Sequence, residues 1–311
     1  MTTWGIASTI LAPAEQILRF AAYHLELGAH RVHIFLDNGN ADAYRALKAH
    51  PKIRVRVCDD AHWRKLGGPR PKKHQVRQSV NATQAYCRSA DVDWLIHMDV
   101  DEFLVPQQRL DKRLSAAPST TQYLRCRPTE ALAGGDGTAF KAFISPGPNR
   151  QRLVETLYPT FGRHLRGGFM SHVAGKIFLR TGLPDIELRI HNAFQHGETL
   201  GDGTEMPDCD VAHVHAASWD AWRAAFEFRL QSGSYRPDIK PARGEHGVRL
   251  HDLLTGIYTD AGERGLRAFF DEVIGDSAAL RSTLQEHGLL RLIPLDTDAP
   301  LSRHFPDYSP V

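Results

Sequence analysis

The fold is decided around the stretch DWLIHMDVDEFL, which occupies residues 93–104. Its apolar run over 94–98 predicts a buried strand, and the run ends in three carboxylates, those of Asp99, Asp101 and Glu102. In an extended chain Asp99 and Asp101 point to the same side, about 6–7 Å apart. Such carboxylates repel each other unless a cation binds them, and oxygen ligands suit a hard divalent ion such as Mg²⁺ or Mn²⁺. The stretch therefore predicts a metal site, and the alternative is a solvated acidic turn after a core strand.

The chain before this stretch alternates between strand and helix patterns. Strands are expected over residues 4–11, 31–36 and 53–57, and helices over 14–27 and 41–49. This order is typical of a parallel, doubly wound sheet, in which ligands bind at the carboxyl ends of the strands. Acidic residues follow three of the expected strands, namely Asp37, Asp59 with Asp60, and Asp99 with Asp101. One acid at a strand end is a common turn signal, whereas three together indicate a site.

A basic loop rich in glycine and proline is expected between the third and fourth strands. Its sequence GGPRPKKH covers residues 67–74, and a helix pattern follows over 75–88 with Arg77 near its start. This position suits contact with phosphate charge, and the alternative is an exposed, solvated loop.

The pattern changes along the second half of the chain. Short strand patterns follow residue 104, and from Trp219 onward the pattern is helical. We therefore expect an α/β domain over residues 1–218 and a helical C-terminal extension over residues 219–311.

The composition is that of an ordinary soluble globular protein, with 311 residues, 42% of them hydrophobic and 24% charged. The formal net charge of +2 gives no basic field that would indicate a nucleic-acid partner. Four scattered cysteines without a CxxC pair argue against a disulfide framework or a zinc ribbon and suit a reducing compartment. The first residues do not resemble a signal peptide, and no apolar run is long enough to span a membrane. A cytoplasmic protein without a transmembrane segment is expected.

Residues 94–104 resemble the signature of the glycosyltransferase family 2-like group, a tryptophan and apolar residues followed by DxDEF, in the branch related to family 92. Weaker matches follow the expected order, at residues 22–29, Arg77-Gln78 with Asn81, Ser171-His172 with Gly175-Lys176, and His213 before Ser218-Trp219. The resemblance spans roughly residues 4–230. It implies a GT-A (nucleotide-diphospho-sugar transferase) fold, an α/β architecture with a Rossmann-like mixed sheet flanked by helices.

The resemblance also implies transfer of a sugar from a nucleotide-sugar, expected to be a UDP-sugar, to a glycan, lipid-linked or small-molecule acceptor. Mn²⁺ or Mg²⁺ would be bound by Asp99 and Asp101, directly or through water, with Asp101 the favoured direct ligand. His213 would complete the metal shell, and His215, two residues later, is the alternative. A divalent ion at this place would neutralise the charge on the departing diphosphate.

Contacts to the donor are implied in the same way. Asp37 matches a position that contacts uridine, although this chain has DNGN at 37–40 where family 2 enzymes often have Asp-Asp-x-Ser. The full set of expected donor-binding residues is Asp37, Asp59, Asp60, Arg77, Asp99, His172 and Lys176.

An inverting transfer, which is expected from the resemblance alone, needs a carboxylate that accepts the proton of the acceptor hydroxyl. No clear Glu-Asp pair is visible, and the candidate general bases are Asp136 and Glu198.

Two other functions fit some of the same residues. A metal-dependent phosphohydrolase would also use aspartate and histidine at strand ends, but such enzymes usually hold two metals with more ligands. A non-catalytic nucleotide-sugar-binding protein would keep the metal site without transferring a sugar.

Overall fold

A computed structural model describes residues 1–89, 91–165, 167–239 and 248–308 of the chain. The internal contacts divide the chain into two compact units. The first unit comprises Met1–Arg127, Ala174–Val211 and Asp296–Val311. The second unit comprises Pro128–Val173 and Ala212–Leu295. The expected boundary between residues 218 and 219 stays a prediction.

The first unit is built on parallel strands in the order β4-β1-β2-β3. The strands are β1 (Trp4–Ile10), β2 (Arg31–Leu36), β3 (Ile53–Val57) and β4 (Trp94–His97). Between them lie the helices α1 (Ala14–Glu26), α2 (Ala41–Ala49), α3 (Asp60–Lys65) and α4 (His74–Ser89). Antiparallel strands continue the sheet beyond β4, first β8 (Lys176–Arg180) and then β6 (Tyr123–Ala131), whose last residues lie in the second unit.

Helices cover both faces of this sheet because successive strand residues point to opposite sides. Ile6 and Ile34 share one buried cluster with Ile17 of α1. Phe35 lies in a separate buried cluster with Ala85 of α4. A mixed sheet flanked by helices is thereby confirmed as the fold class.

Shorter elements complete the first unit. Two helices belong to it, α5 (Leu110–Ser115) and α11 (Asp298–His304). Strand β5 (Glu102–Pro106) pairs with β12 (Gly203–His213), whose last residues lie in the second unit. A small antiparallel sheet is formed by β9 (Ile186–Leu188), β10 (Ala193–Gln195) and β11 (Glu198–Thr199).

The acidic stretch is a turn, so the expectation that Asp99 and Asp101 share one face of an extended strand is wrong. Strand β4 ends at His97, and the Glu102 amide donates to the Asp99 carbonyl at 3.1 Å. The buried Glu102 carboxylate in turn accepts from the Asp99 amide at 2.8 Å. These two reciprocal hydrogen bonds favour a turn over continued extension.

The second unit has its own apolar core, which includes Trp222, Phe226 and Phe269. Its strands β7 (Ala139–Lys141) and β13 (Leu290–Leu292) pair with each other, and β7 also pairs with the end of β6. Its helices are α6 (Arg150–Leu157), the 3-10 turn Gly162–His164, α7 (Trp219–Ala224), α8 (Phe226–Gln231), α9 (Leu250–Val273) and α10 (Ala278–Glu286). The mainly helical pattern expected after Trp219 is confirmed over the described residues.

None of the described helices combines the length and the apolar composition needed to cross a bilayer. Cys58, Cys87, Cys126 and Cys209 are all free thiols.

Candidate functional site

Three strands bring acidic residues to one edge of the parallel sheet. Asp37 directly follows β2, Asp59 comes two residues after β3, and Asp99 comes two residues after β4. Because these strands run in the same direction, their carboxyl ends lie at the same edge, where α/β sheets bind their ligands.

The carboxylate of Asp37 is fully buried among three basic side chains. Arg77 donates to it from Nε and, at 2.7 Å, from Nη2, and Arg70 donates at 2.9 Å. The Nδ1 atom of His74 lies 3.3 Å away. Burial would raise the pKa of Asp37, but the hydrogen bonds from His74, Arg77 and Arg70 outweigh it and lower the pKa to about 2. A contact between Asp37 and uridine stays a prediction, and it would require one of these bases to move.

Helix α4 presents a polar stripe to this edge. His74, Arg77, Gln78 and Asn81 occupy the i, i+3, i+4 and i+7 positions of one helical face, and the last three are buried. Their partners are Asp37 for His74 and Arg77, Asp99 for Gln78, and Thr9 and His62 for Asn81. One helix thus connects the ends of several strands.

A buried lysine neutralises the acidic turn. The register of β8 against β4 pairs Ile96 with Phe178, which places Lys176 beside the end of β4. The Lys176 ammonium lies 2.6 Å from Asp99 and 2.9 Å from Glu102, and neither Lys176 nor Glu102 is exposed. The Gln78 amide donates to the second oxygen of Asp99. Both Asp99 oxygens therefore have partners within the protein.

The electrostatics of this group favour the ionised forms. Burial would raise the pKa of Asp99, but the charge of Lys176 holds it well below its usual value. Burial would likewise lower the pKa of Lys176, and the charges of Asp99 and Glu102 raise it instead. Because Lys176 is buried between two carboxylates, its expected contact with donor phosphate stays a prediction that would require the lysine to leave them.

The other acids of the edge differ in their surroundings. Asp101 is partly exposed on the turn. Asp59 is exposed and caps α3, with its carboxylate accepting from the His62 amide at 2.8 Å, and Asp60 is exposed in the first turn of that helix. A capping role accounts for Asp59 without a ligand, and the donor contacts of Asp59 and Asp60 stay predictions.

The expected histidines lie in the second unit. The ring centroids of His172 and His213 are 5.6 Å apart, and those of His213 and His215 are 5.5 Å apart. The Nε2 atom of His215 lies 2.7 Å from the Tyr235 hydroxyl, and burial holds the pKa of His215 well below its usual value. His215 is thus a neutral ring with a protein partner, whereas the ligand role of His213 and the donor contact of His172 stay predictions.

The two candidate bases are both exposed. Asp136 accepts from Thr138 and Arg281 in the second unit, and these hydrogen bonds lower the pKa of Asp136 to about 2. Glu198 begins the two-residue strand β11 in the first unit, opposite Gln195. A carboxylate with such a low pKa is a poor proton acceptor at neutral pH, so Asp136 is the weaker candidate.

Sequence reasoning missed the partners that fix the acids, namely Arg70 and His74 on Asp37 and Gln78 on Asp99. No local signal identifies them, because polar residues at i, i+3, i+4 and i+7 are the ordinary pattern of a helix face turned to solvent. The pairing of Lys176 with Asp99 has no local signal, since 77 residues separate them.

A scan against protein-family models finds no match for the chain, and a search of curated proteins also finds none. Solved structures give weak likenesses. HddC from Yersinia pseudotuberculosis has a TM-score of 0.37 at 10% identity, over 73% of this chain and 99% of that one. Glucosyl-3-phosphoglycerate synthase from Mycobacterium tuberculosis, in complex with phosphoglyceric acid, has a TM-score of 0.30 at 12% identity, over 58% of this chain and 57% of that one.

The galactosyltransferase LgtC, in complex with donor and acceptor sugar analogs, has a TM-score of 0.26 at 15% identity, over 57% of each chain. All three TM-scores lie below 0.5, so these likenesses carry no argument about fold or activity. The fold class rests on the strands and helices of the chain itself.

Proposed function

We propose that the chain is a glycosyltransferase that moves a sugar from a nucleotide-sugar, in particular a UDP-sugar, to a glycan, lipid-linked or small-molecule acceptor. The observation that carries this proposal is the acidic turn at 99–102, which lies at the carboxyl edge of the parallel strands. Asp37 and Asp59 follow two other strands at the same edge. The resemblance of residues 94–104 to the family 2-like signature supports it. A GT-A fold is part of the same proposal.

The carboxylate ligands of the acidic turn suit one divalent ion, Mn²⁺ or Mg²⁺, with Asp101 as its direct ligand. Both oxygens of Asp99 are engaged by Lys176 and Gln78, and the lysine ammonium would repel a nearby cation. We therefore propose that Asp99 acts through water and orients the turn. The ligand role of His213 belongs to the proposal without a stated geometry. When bound, the ion would stabilise charge on the departing diphosphate.

The residues of the chain would divide the remaining tasks. Arg70 is fixed on Asp37 and is still 42% exposed, so we propose that it contacts donor phosphate together with the neighbouring basic loop. Asp37 would then position Arg70 and Arg77 in addition to, or in place of, contacting uridine. For an inverting transfer we rank Glu198 above Asp136 as general base, because Asp136 is held ionised by Arg281 and Thr138.

The proposal is tested by calorimetric titration of UDP and GDP, each with and without Mn²⁺. UDP should bind to the wild type with Mn²⁺, and Asp101→Ala should weaken this binding by at least tenfold. The control is Asp42→Ala, which removes an aspartate that is 73% exposed and should bind like the wild type.

Failure of both nucleotides to bind, with and without Mn²⁺, would overturn the transferase proposal and favour a phosphohydrolase. Metal-dependent UDP binding with no transfer or hydrolysis of any UDP-sugar in a donor screen would favour a non-catalytic binding protein.

A further inference from the structure

A concave site lies in the first unit beside strand β3. A cavity of about 420 Å³ adjoins strand β3, and its lining includes Phe35, Lys48, His50, Arg54, Arg56 and Gln84. Several of these residues belong to the middle of β3 or to the turn that precedes it, whereas Asp37, Asp59 and Asp99 follow the strand ends. The volume is within the range of small-molecule sites, about 300–1,000 Å³. We call it the β3 cavity.

The sequence of β3 produces this cavity. In IRVRV the buried Ile53 and Val55 point into one core, so Arg54 and Arg56 point to the opposite face of the sheet. There the register pairs them with His33 and Phe35 of β2. Within the described part of the chain β3 is the last strand on this side. The two arginines are therefore exposed along the open margin of the sheet.

The charge of the β3 cavity is of one sign. Lys48, Arg54 and Arg56 line it, and no carboxylate is among the described residues of its lining. The Arg54 guanidinium donates to the carbonyls of Pro51 and Ile53 at 2.9 and 3.1 Å. Carbonyl partners orient the guanidinium without cancelling its charge, so the cavity attracts anions.

The β3 cavity also has an acceptor that needs a donor. The Oε1 atom of Gln84, on α4, is buried and has no hydrogen-bond partner among the described residues. A buried acceptor without a donor is unfavourable. Exposed charge alone is explained by the protection of an edge strand against pairing with another chain, but that explanation leaves the Gln84 acceptor unexplained.

We propose that the β3 cavity binds the phosphoryl group of a small phosphate ester. Guanidinium groups match phosphate oxygens in geometry and charge, so Arg54 and Arg56 would bind the phosphoryl group with Lys48 nearby. Gln84 is partly exposed, and rotation of its side chain would let the amide oxygen accept a hydrogen bond from a hydroxyl of the organic part. This site is independent of the proposed transferase site.

The test is titration calorimetry at low ionic strength with three probes, namely inorganic phosphate, glucose 6-phosphate and glucose. Arg54→Glu/Arg56→Glu should weaken glucose 6-phosphate binding at least tenfold, because it reverses both charges. The matched control is Arg45→Glu/Arg109→Glu, which makes the same change in net charge at exposed positions outside the lining and should change affinity less than threefold. Asp101→Ala should also bind glucose 6-phosphate like the wild type.

Gln84→Met should remove only the preference for the ester over inorganic phosphate, and glucose should not bind. If inorganic phosphate and glucose 6-phosphate bind with equal affinity, and only the arginine variant loses that affinity, the cavity binds the phosphoryl group and makes no contact with the organic part. The proposal is overturned if neither phosphate binds, if the arginine variant binds like the wild type, or if the control loses as much affinity.

Discussion

Two buried lysines, one in each unit, differ in what surrounds their carboxylate partners. Lys141 lies 2.8 Å from Glu130, whose carboxylate also accepts from the amides of Met170 and Ser171, and both members of the pair are at most 3% exposed. Lys176 is equally buried and contacts two carboxylates, the buried Glu102 and Asp99, which is 28% exposed. The first pair is closed to solvent, whereas the second opens on the acidic turn. A closed pair fixes structure, and an open pair can also respond to a ligand.

The largest expected effect comes from removing each lysine. Lys141→Met leaves Glu130 buried without its counter-ion and should lower the free energy of unfolding by about 3–5 kcal/mol. Lys176→Met leaves two carboxylates without their counter-ion, the buried Glu102 and the partly exposed Asp99, and should cost a similar amount, about 3–5 kcal/mol. Mn²⁺ should stabilise Lys176→Met more than it stabilises the wild type, since the freed carboxylates add ligands for the cation, and should stabilise Lys141→Met only as much as the wild type.

These values are measured by urea denaturation with and without Mn²⁺. The exposed Lys112→Met serves as the control and should stay within about 0.5 kcal/mol of the wild type. If Mn²⁺ stabilised Lys176→Met no more than it stabilises the wild type and Lys141→Met, the distinction between an open and a closed pair would be removed.

A smaller effect separates the two aspartates of the open turn. Asp101→Asn should weaken Mn²⁺ binding about 100-fold, equivalent to about 2.7 kcal/mol. Asp99→Asn should weaken it less than fivefold, because Lys176 and Gln78 already engage its carboxylate. Titration of Mn²⁺ into both variants decides the point. The reverse order of effects would make Asp99 the direct ligand and refute the role proposed for Lys176.

The smallest effect concerns Asp37, whose carboxylate is buried like that of Glu130 but lies among bases that are partly exposed. Its pKa of about 2, against an ordinary 3.8, means that its stabilisation is complete above about pH 4 and disappears as the pH falls towards 2. Asp37→Asn should therefore cost about 2 kcal/mol at pH 7 and progressively less below pH 4.

Urea denaturation between pH 7 and pH 3 tests this dependence. The exposed Asp42→Asn serves as the control and should differ little from the wild type at any pH. A gap between wild type and Asp37→Asn that stays constant down to pH 3 would contradict a stabilising ionised Asp37.

The sequence by itself determined the α/β order, because apolar spacing is a local property of the chain. The expected strands at 31–36 and 53–57 and the expected helix at 41–49 have the observed bounds, and three acids do follow three parallel strands. The sequence also placed the acidic stretch directly after a buried strand.

Tertiary structure alone decided which acids are available. The extended geometry expected for Asp99 and Asp101 failed because Glu102 bonds back to the Asp99 amide. Lys176 reaches Asp99 only because β8 pairs antiparallel with β4 in one register. Such pairings are set by which strands become neighbours and by the cost of leaving a buried charge without a partner, and a single stretch of sequence contains neither.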